Sequence, residues 1–442
     1  MSFYLFWPQK ETVSAAGFGK VCAVPCIFDG TWTYFLEASW YLRDRAMGDW
    51  PRAGGRKQTR ASMSAYGSAL CDFFEWCELR GKDWKTVDYD DLVDATHGYQ
   101  AEMQRGTWSA SGAALAVSTV NTRVDQACML LQWAHAQSLR GQFYMPTRTV
   151  WVKQDTARNS HGHKARLVET RVGKVRADPK RLRLPTDAQV QKWLRAVRIE
   201  KGETKALMCE LIVQTAIRRE EAVQWRVDTL PEQKKYWDVR GGSVSVPLMY
   251  GTKGPKYGSV DGERGPSRII KIPLYLAEKL HDYRIVRRAV LRAMYVRGSN
   301  SLEEKRARMR EVTTRLFLSD FTGEPVSSMA FYDGWKNVSH LPFEEWSPHL
   351  GRHYWACKTL MDDITRSYEN IRRGEMPPAD WATGQAANTL MMQIKPQLGH
   401  VSAETTQLYL GWVRDAYSMG GFALEYAKAL GDLFEENGEH HA

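Results

Sequence analysis

A mostly helical protein with one small antiparallel sheet, divided into at least two domains, is the fold expected of this chain. Three observations predict it. Amphipathic helical periods recur on both sides of a basic stretch, residues 146–185. Only two segments of the second half, residues 241–251 and 267–274, read as strands. The length of 442 residues exceeds one ordinary domain and suits two or three.

Residues 1–55 are rich in aromatic side chains and of unclear role, either an extra module or an arm wrapping the first domain. Residues 56–145 read as a small helical domain. Met63, Tyr66, Leu70, Phe74 and Cys77 recur at helical spacing ahead of Gly81, and Val120, Val124, Ala127, Leu131 and Ala134 do so ahead of Gly141. No helical period is sustained across 146–182, which reads as a basic linker. From 146 to 185 eleven Lys or Arg stand against three acids, a surplus of eight within a net charge of +10. Such a segment is either a solvated tether or a strap that neutralises phosphates, with Lys164, Arg166, Arg171 and Lys174 as candidate DNA contacts.

A further domain, residues 183–420, opens sharply. Thr186 and Gln189 fit a capping box, and Val190, Trp193, Leu194 and Val197 form one apolar stripe. Its two strands are joined by a long hairpin segment, residues 252–266. In the tail, 421–442, Phe422, Tyr426, Leu430 and Leu433 stand at helical spacing, on a helix that packs either on its own domain or on a neighbouring copy.

Composition excludes several classes. With 43% hydrophobic residues the chain can build proper cores. No apolar run approaches a membrane span, and the start lacks a basic leader and a clear cleavage site, so a cytoplasmic protein is expected. Seven cysteines at irregular spacing argue against a disulfide framework. Cys22 and Cys26 have no second pair at zinc spacing and read as structural.

Four stretches of the second half could carry chemistry. Arg218 follows a small-residue break, with Glu221 three residues on. Lys253 sits in a glycine-flanked turn. His349 and Arg352 lie three apart just after Pro348, a first-turn residue. His400 precedes a segment that Ser402 can cap, where Thr405, Thr406 and Tyr409 share a helical face. Singly, each has a plainer explanation: a surface ion pair, a solvated lysine, a buried tyrosine. Together they make a site for a phosphodiester in transfer. Arginine forks clamp non-bridging oxygens, a lysine protonates a leaving oxygen, and a tyrosine hydroxyl attacks phosphorus. No carboxylate cluster suited to paired Mg²⁺ and no nucleotide-binding glycine loop is present, so neither a metal nor another cofactor is expected.

In this order the residues resemble the tyrosine recombinases, the phage-integrase family, across roughly residues 183–425. Residues 57–145 are similar to the family's core-binding domain. The arginine motif is Thr215-Ala216-Ile217-Arg218 with Glu221, and Ala216 stands where glycine is usual. The H-x-x-R box is His349 and Arg352, and the last box is Leu398-Gly399-His400, Thr405-Thr406 and Tyr409. The hairpin lysine falls on Lys253, with Lys256 as the alternative in the same loop.

The resemblance implies a helical core-binding domain and an α+β catalytic domain clamped in a C around double-stranded DNA. It implies a site-specific recombinase or integrase that works through a 3′-phosphotyrosine, monomeric when free and tetrameric in synapsis, serving integration, excision or inversion of a mobile element. Tyr409 would be the nucleophile, Arg218 and Arg352 the phosphate clamps and Lys253 the general acid. His349 and His400 would bond the phosphate or shuttle a proton. The alternatives are a type IB-like topoisomerase and an inactive architectural DNA-binding protein. The gap of 48 residues from Arg352 to His400 is longer than the family's, and residues 362–385 look inserted.

Overall fold

The computed structural model describes residues 3–22, 24–51, 58–108, 112–153, 165–176, 182–254, 264–369, 379–399, 405 and 407–415. The chain forms two compact units: residues 1–154 with 163–180, and 155–162 with 181–442. Both are mostly helical, and the second carries a small antiparallel sheet, as expected; the first unit adds two two-stranded sheets that the sequence reading did not include.

The first unit holds β1 (Tyr4–Phe6), α1 (Lys10–Ala15), β2 (Cys26–Phe28), α2 (Leu36–Met47), α3 (Arg60–Leu79), α4 (Tyr89–Val93), α5 (Tyr99–Arg105) and α6 (Val117–Ala136). Its core joins the apolar stripes of α3 and α6, with Leu70, Phe73, Trp76, Val124, Leu131 and Trp133 fully buried. Thr59 caps α3 through the backbone N–H of Ser62, a contact worth about 1 kcal/mol. Helix α6 stops at Ala136, earlier than Gly141 suggests, because Ser138 takes a left-handed turn at φ 58°.

Two readings that the sequence leaves open are narrowed here. Residues 1–55 are no separate module: β1 pairs with β2, and Ile27, Tyr41 and Leu42 are buried in the core of the first unit. Nor is the basic stretch an unpaired tether. β3 (Thr147–Lys153) and β4 (Ala165–Arg171) form a two-stranded ribbon in antiparallel register from Thr147↔Arg171 to Lys153↔Ala165. The segment TRTVWVK is rich in β-branched and aromatic residues, a strand composition that carries no helical period.

The foot of the ribbon is anchored in the first unit. Asn121 accepts from the Val175 N–H at 3.0 Å and donates to its carbonyl at 2.8 Å, and Gln100 donates to the Gly173 carbonyl at 3.0 Å. Arg171 is buried and donates to Asp125 at 2.7 Å and Asn121 at 3.0 Å; Lys174 pairs with the same Asp125. Arg171 thus stands as a structural anchor, buried and bonded inside the fold through Nε and one of its two amino groups. Lys164 lies outside the described residues, and of Arg166 only the backbone is described. Arg171→Gln is expected to lower the stability of the first unit by about 2 kcal/mol, as for a lost charge-assisted bond. Urea unfolding followed by tryptophan fluorescence measures it.

The second unit begins with α7 (Asp187–Lys201), capped reciprocally by Thr186 and Gln189 as the sequence predicts. Then follow α8 (Glu203–Thr215), α9 (Arg219–Val223), β5 (Asp238–Arg240), β6 (Ser243–Leu248), β7 (Arg268–Pro273), α10 (Leu274–Ile285), α11 (Arg287–Arg297), α12 (Leu302–Thr313) and α13 (Ser328–Lys336). The chain closes with α14 (Pro348–Glu369), α15 (Ala379–Thr389), a π-helical turn at Leu390–Ile394, α16 (Lys395–Leu398) and helical residues 407–415. The sheet has the order β5-β6-β7, all antiparallel. Val244, Val246, Ile270 and Ile272 face one core with Leu207, Leu211 and Leu276. Trp193, Trp335 and Trp346 pack ring on ring in that core, with centroids 4.4 to 5.6 Å apart.

The apparent insertion lengthens two helices. Residues 362–369 continue α14, and Asp363 accepts from Gln385 of α15 at 3.1 Å, while Tyr368 meets Trp381 edge to face at 5.3 Å. The tail helix with Phe422, Tyr426, Leu430 and Leu433 falls outside the described residues.

Candidate active site

A second small core of this unit gathers the chemistry. Ala356, Cys357, Leu360 and Ile364 of α14 pack with Ala386, Leu390, Leu398, Ala216, Tyr409 and Val413. Four chain segments distant in sequence therefore meet around one tyrosine.

Arg218 emerges where α8 ends. Ala216, which stands where the resemblance leads one to expect glycine, sits there fully buried at φ 55°. That left-handed conformation favours glycine, and an alanine carries strain in it. It turns the chain so that Arg218 begins α9. Glu221 then folds back and accepts the Arg218 backbone N–H at 2.6 Å and its guanidinium at 3.0 Å.

Glu221 is wholly buried and is the hub of the site. Arg268 of β7 grips it with both arms at 2.6 and 2.7 Å, and Arg352 of α14 lies 3.9 Å away. Burial alone would raise its pKa, but Arg268 and Arg218 outweigh that and hold the carboxyl below its usual value. Three guanidinium groups thus surround one carboxylate, leaving two positive charges uncompensated by it. Burial, with Arg218 beside it, pushes Arg352 down to about 9, so it still carries its charge at neutral pH. A buried surplus of positive charge is a standing demand for an anion.

Backbone carbonyls hold the forks in place. Arg352 donates to the carbonyl of Ala216 and, at 3.0 Å, to that of Leu398. Arg218 donates to the carbonyl of Gly399 at 3.0 Å and keeps 27% of its side chain exposed. Gln397 fastens the same turn to the sheet: it accepts the Lys271 N–H at 2.8 Å and donates to the carbonyls of Lys271 and Thr215, each at 2.9 Å. The edge of β7 is closed by a side-chain amide, and the chain is delivered to Gly399. His400, the next residue, lies outside the described residues, as do Ser402 and Thr406.

Ser347 caps α14, and His349 in its first turn is exposed. Arg352 and His353 follow on the inward face. Tyr409 is 1% exposed, and burial raises its phenol above the usual value. Its hydroxyl lies 2.8 Å from Nδ1 of His353, whose Nε2 lies 3.2 Å from Nε2 of His349. Burial pushes His353 down to about 4, with His349, when it is protonated, and the charge of Arg352 acting the same way, so the ring is neutral at neutral pH.

Lys253 is exposed on the turn after β6. That turn lies against the site: a Cβ on Gly251 would stand 2.3 Å from the Glu220 carbonyl oxygen and 2.8 Å from the Glu221 Cα. The alternative Lys256 falls outside the described residues.

Arg218, His349, Arg352 and Tyr409 are thus brought together. Sequence reading passed over His353, Arg268 and Gln397. His353 stands four residues after His349, on the same helical face, which is the one sequence feature that could have drawn attention to it. Arg268 and Gln397 lie 47 and 176 residues from Glu221 and give no local sign of a shared site.

No protein-family profile matches this chain, and no curated protein does. Among solved structures, the XerH site-specific recombinase bound to its palindromic difH substrate, in a post-cleavage complex, is similar at 15% identity, over 85% of this chain and 81% of that one, with a TM-score of 0.46. The Tn1549 transposon integrase in complex with circular intermediate DNA is similar at 14% identity, over 84% and 94%, with a TM-score of 0.43. The XerA recombinase follows at 12% identity, over 82% and 93%, with a TM-score of 0.32. The chain is thus similar, over about four-fifths of its length, to recombinases and an integrase of known structure.

Proposed function

We propose that this protein is a site-specific DNA recombinase or integrase that cuts and rejoins duplex DNA through a 3′-phosphotyrosine at Tyr409. The observation that carries this reading is the cluster of three guanidinium groups on one buried carboxylate, next to a tyrosine hydroxyl held by a neutral histidine. In this reading Arg218 and Arg352 clamp the non-bridging oxygens, whose charge grows as phosphorus becomes five-coordinate. Arg268 acts through Glu221 as a positioning residue. Lys253 protonates the leaving 5′ oxygen, and His349 and His400 bond the phosphate or shuttle a proton. Guanidinium charge takes the part that metal ions play in other phosphoryl transfers, and the stored ester removes the need for ATP. Both units bind the duplex, and synapsis of two duplexes takes four copies. The burial of Tyr409 implies that DNA binding must open a path to its hydroxyl.

Incubation with a duplex nicked near the cleavage site, in EDTA, tests the reading. An enzyme of this type traps a covalent adduct that survives a denaturing gel. A DNA-binding architectural protein traps none. A topoisomerase relaxes supercoiled plasmid as a monomer, and a recombinase exchanges strands between two sites.

Among the described residues no helix is long and apolar enough to cross a membrane. The basic stretch keeps its proposed role in DNA binding through Lys164 and Arg166, joined here by the exposed Arg148, since Arg171 and Lys174 are engaged by Asp125. Replacing all three by glutamine is expected to weaken binding to target and random DNA alike. Each lost phosphate contact should flatten the slope of log K against log salt by about 0.9. Titrations at several salt concentrations measure it, and an unchanged slope would leave the ribbon's charge without a role in DNA binding.

A further inference from the structure

The chain holds a second histidine beside the reacting atom, outside the set that the family resemblance supplies. We propose that His353 is a catalytic residue: it takes the proton of the Tyr409 hydroxyl during attack on phosphorus and passes one on to His349. This rests on the transesterification proposed above.

The geometry is a chain of three groups. The Tyr409 hydroxyl sits 2.8 Å from His353 Nδ1, and His353 Nε2 sits 3.2 Å from His349 Nε2. A phenol is a strong donor and a weak acceptor, while a neutral imidazole nitrogen is a strong acceptor. The hydroxyl therefore donates to Nδ1, which places the His353 proton on Nε2, directed at His349. Burial keeps His353 neutral at neutral pH, so Nδ1 is free to accept. The pair is packed inside the fold: the two rings meet at 66° with centroids 5.4 Å apart, His353 is 8% exposed and Tyr409 1%. His349, by contrast, is exposed, so a proton delivered there can leave the buried site.

The step balances. As the phenolic oxygen bonds to phosphorus, its O–H bond breaks and the proton goes to His353 Nδ1. The proton on His353 Nε2 moves to His349 Nε2. The P–O5′ bond breaks with its electron pair on oxygen, which takes a proton from the general acid assigned above to Lys253. Rejoining runs each transfer backwards, and His353 returns the proton to the phenol. A general base of this kind contributes about 100-fold or more.

His353→Asn is the test, because its amide oxygen can still accept from the hydroxyl but cannot carry the proton. Melting temperature and duplex affinity should stay near wild type, while single-turnover cleavage falls by about 100-fold or more. Two arms separate this from a structural effect. On a substrate whose leaving 5′ oxygen is replaced by sulfur, the thiolate departs without a proton, so the defect should persist. With a fluorinated tyrosine at 409, which ionises more readily, much of the defect should disappear, and that recovery requires a folded protein. Cleavage by His353→Asn at the wild-type rate overturns the proposal. So does faster cleavage, which would make His353 a restraint on the tyrosine, and so does failure of the fluorinated tyrosine to restore activity. A wild-type protein that traps no adduct sinks the recombinase reading itself and is distinguishable from all of these.

Discussion

Tyr409→Phe is expected to abolish covalent trapping of DNA while duplex binding stays nearly intact. The change removes one oxygen from a side chain that is 1% exposed, and the ring keeps its packing against Cys357, Leu360 and Val413. What is lost is the hydroxyl held at 2.8 Å by His353. Leaving Nδ1 of His353 without a partner in a buried site costs about 1–3 kcal/mol of stability, and a thermal melt should register it. The rate effect is of another order, because no other atom replaces the nucleophile. A nicked duplex and a denaturing gel give the readout. An adduct that persists in the phenylalanine variant would assign the nucleophile to a different residue.

Arg218→Ala and Arg352→Ala are each expected to slow cleavage by at least about 100-fold, comparable to losing one donor to a transition-state oxyanion. Single-turnover rates at saturating DNA are the measurement, and losses under about tenfold for both would make them structural ion-pair partners only. The structure adds a difference between them. Arg352 is buried and satisfies the carbonyls of Ala216 and Leu398, so its removal orphans two buried acceptors. Arg218 is more exposed and bonds Gly399 and Glu221. Arg352→Ala should therefore also lower the melting temperature clearly, and Arg218→Ala less so. Lysine at 352 should rescue little, since one ammonium cannot reproduce the planar fork that spans two carbonyls.

Much of the fold was legible because its cues are local. The capping box at Thr186 and Gln189 and the stripe of Val190, Trp193 and Val197 lie within one helix and depend on neighbours in sequence. The strands β6 and β7 declared themselves by alternation of β-branched residues. The ribbon of β3 and β4 did not, because the eleven basic residues of 146–185 suggest a solvated segment. What holds it is a set of grips from Asn121, Gln100 and Asp125, up to 73 residues away in sequence.

The sequence by itself determined the order of chemical groups: an arginine after a buried small residue, a histidine and an arginine one helical turn apart, and a tyrosine on a late helix. Spacing along a helix is a property of the backbone, so His349 and Arg352 had to share a face. Only the tertiary structure decided what those groups touch. It closed Arg268 and Arg218 on Glu221, spent Arg171 on Asp125, and set His353 against the Tyr409 hydroxyl. The physical reason is that a buried charge or hydroxyl must find partners wherever packing brings them. Here packing brought β7, α14 and the Tyr409 helix to one point, across 56 residues for the His353–Tyr409 pair and 181 for Arg218 and Gly399.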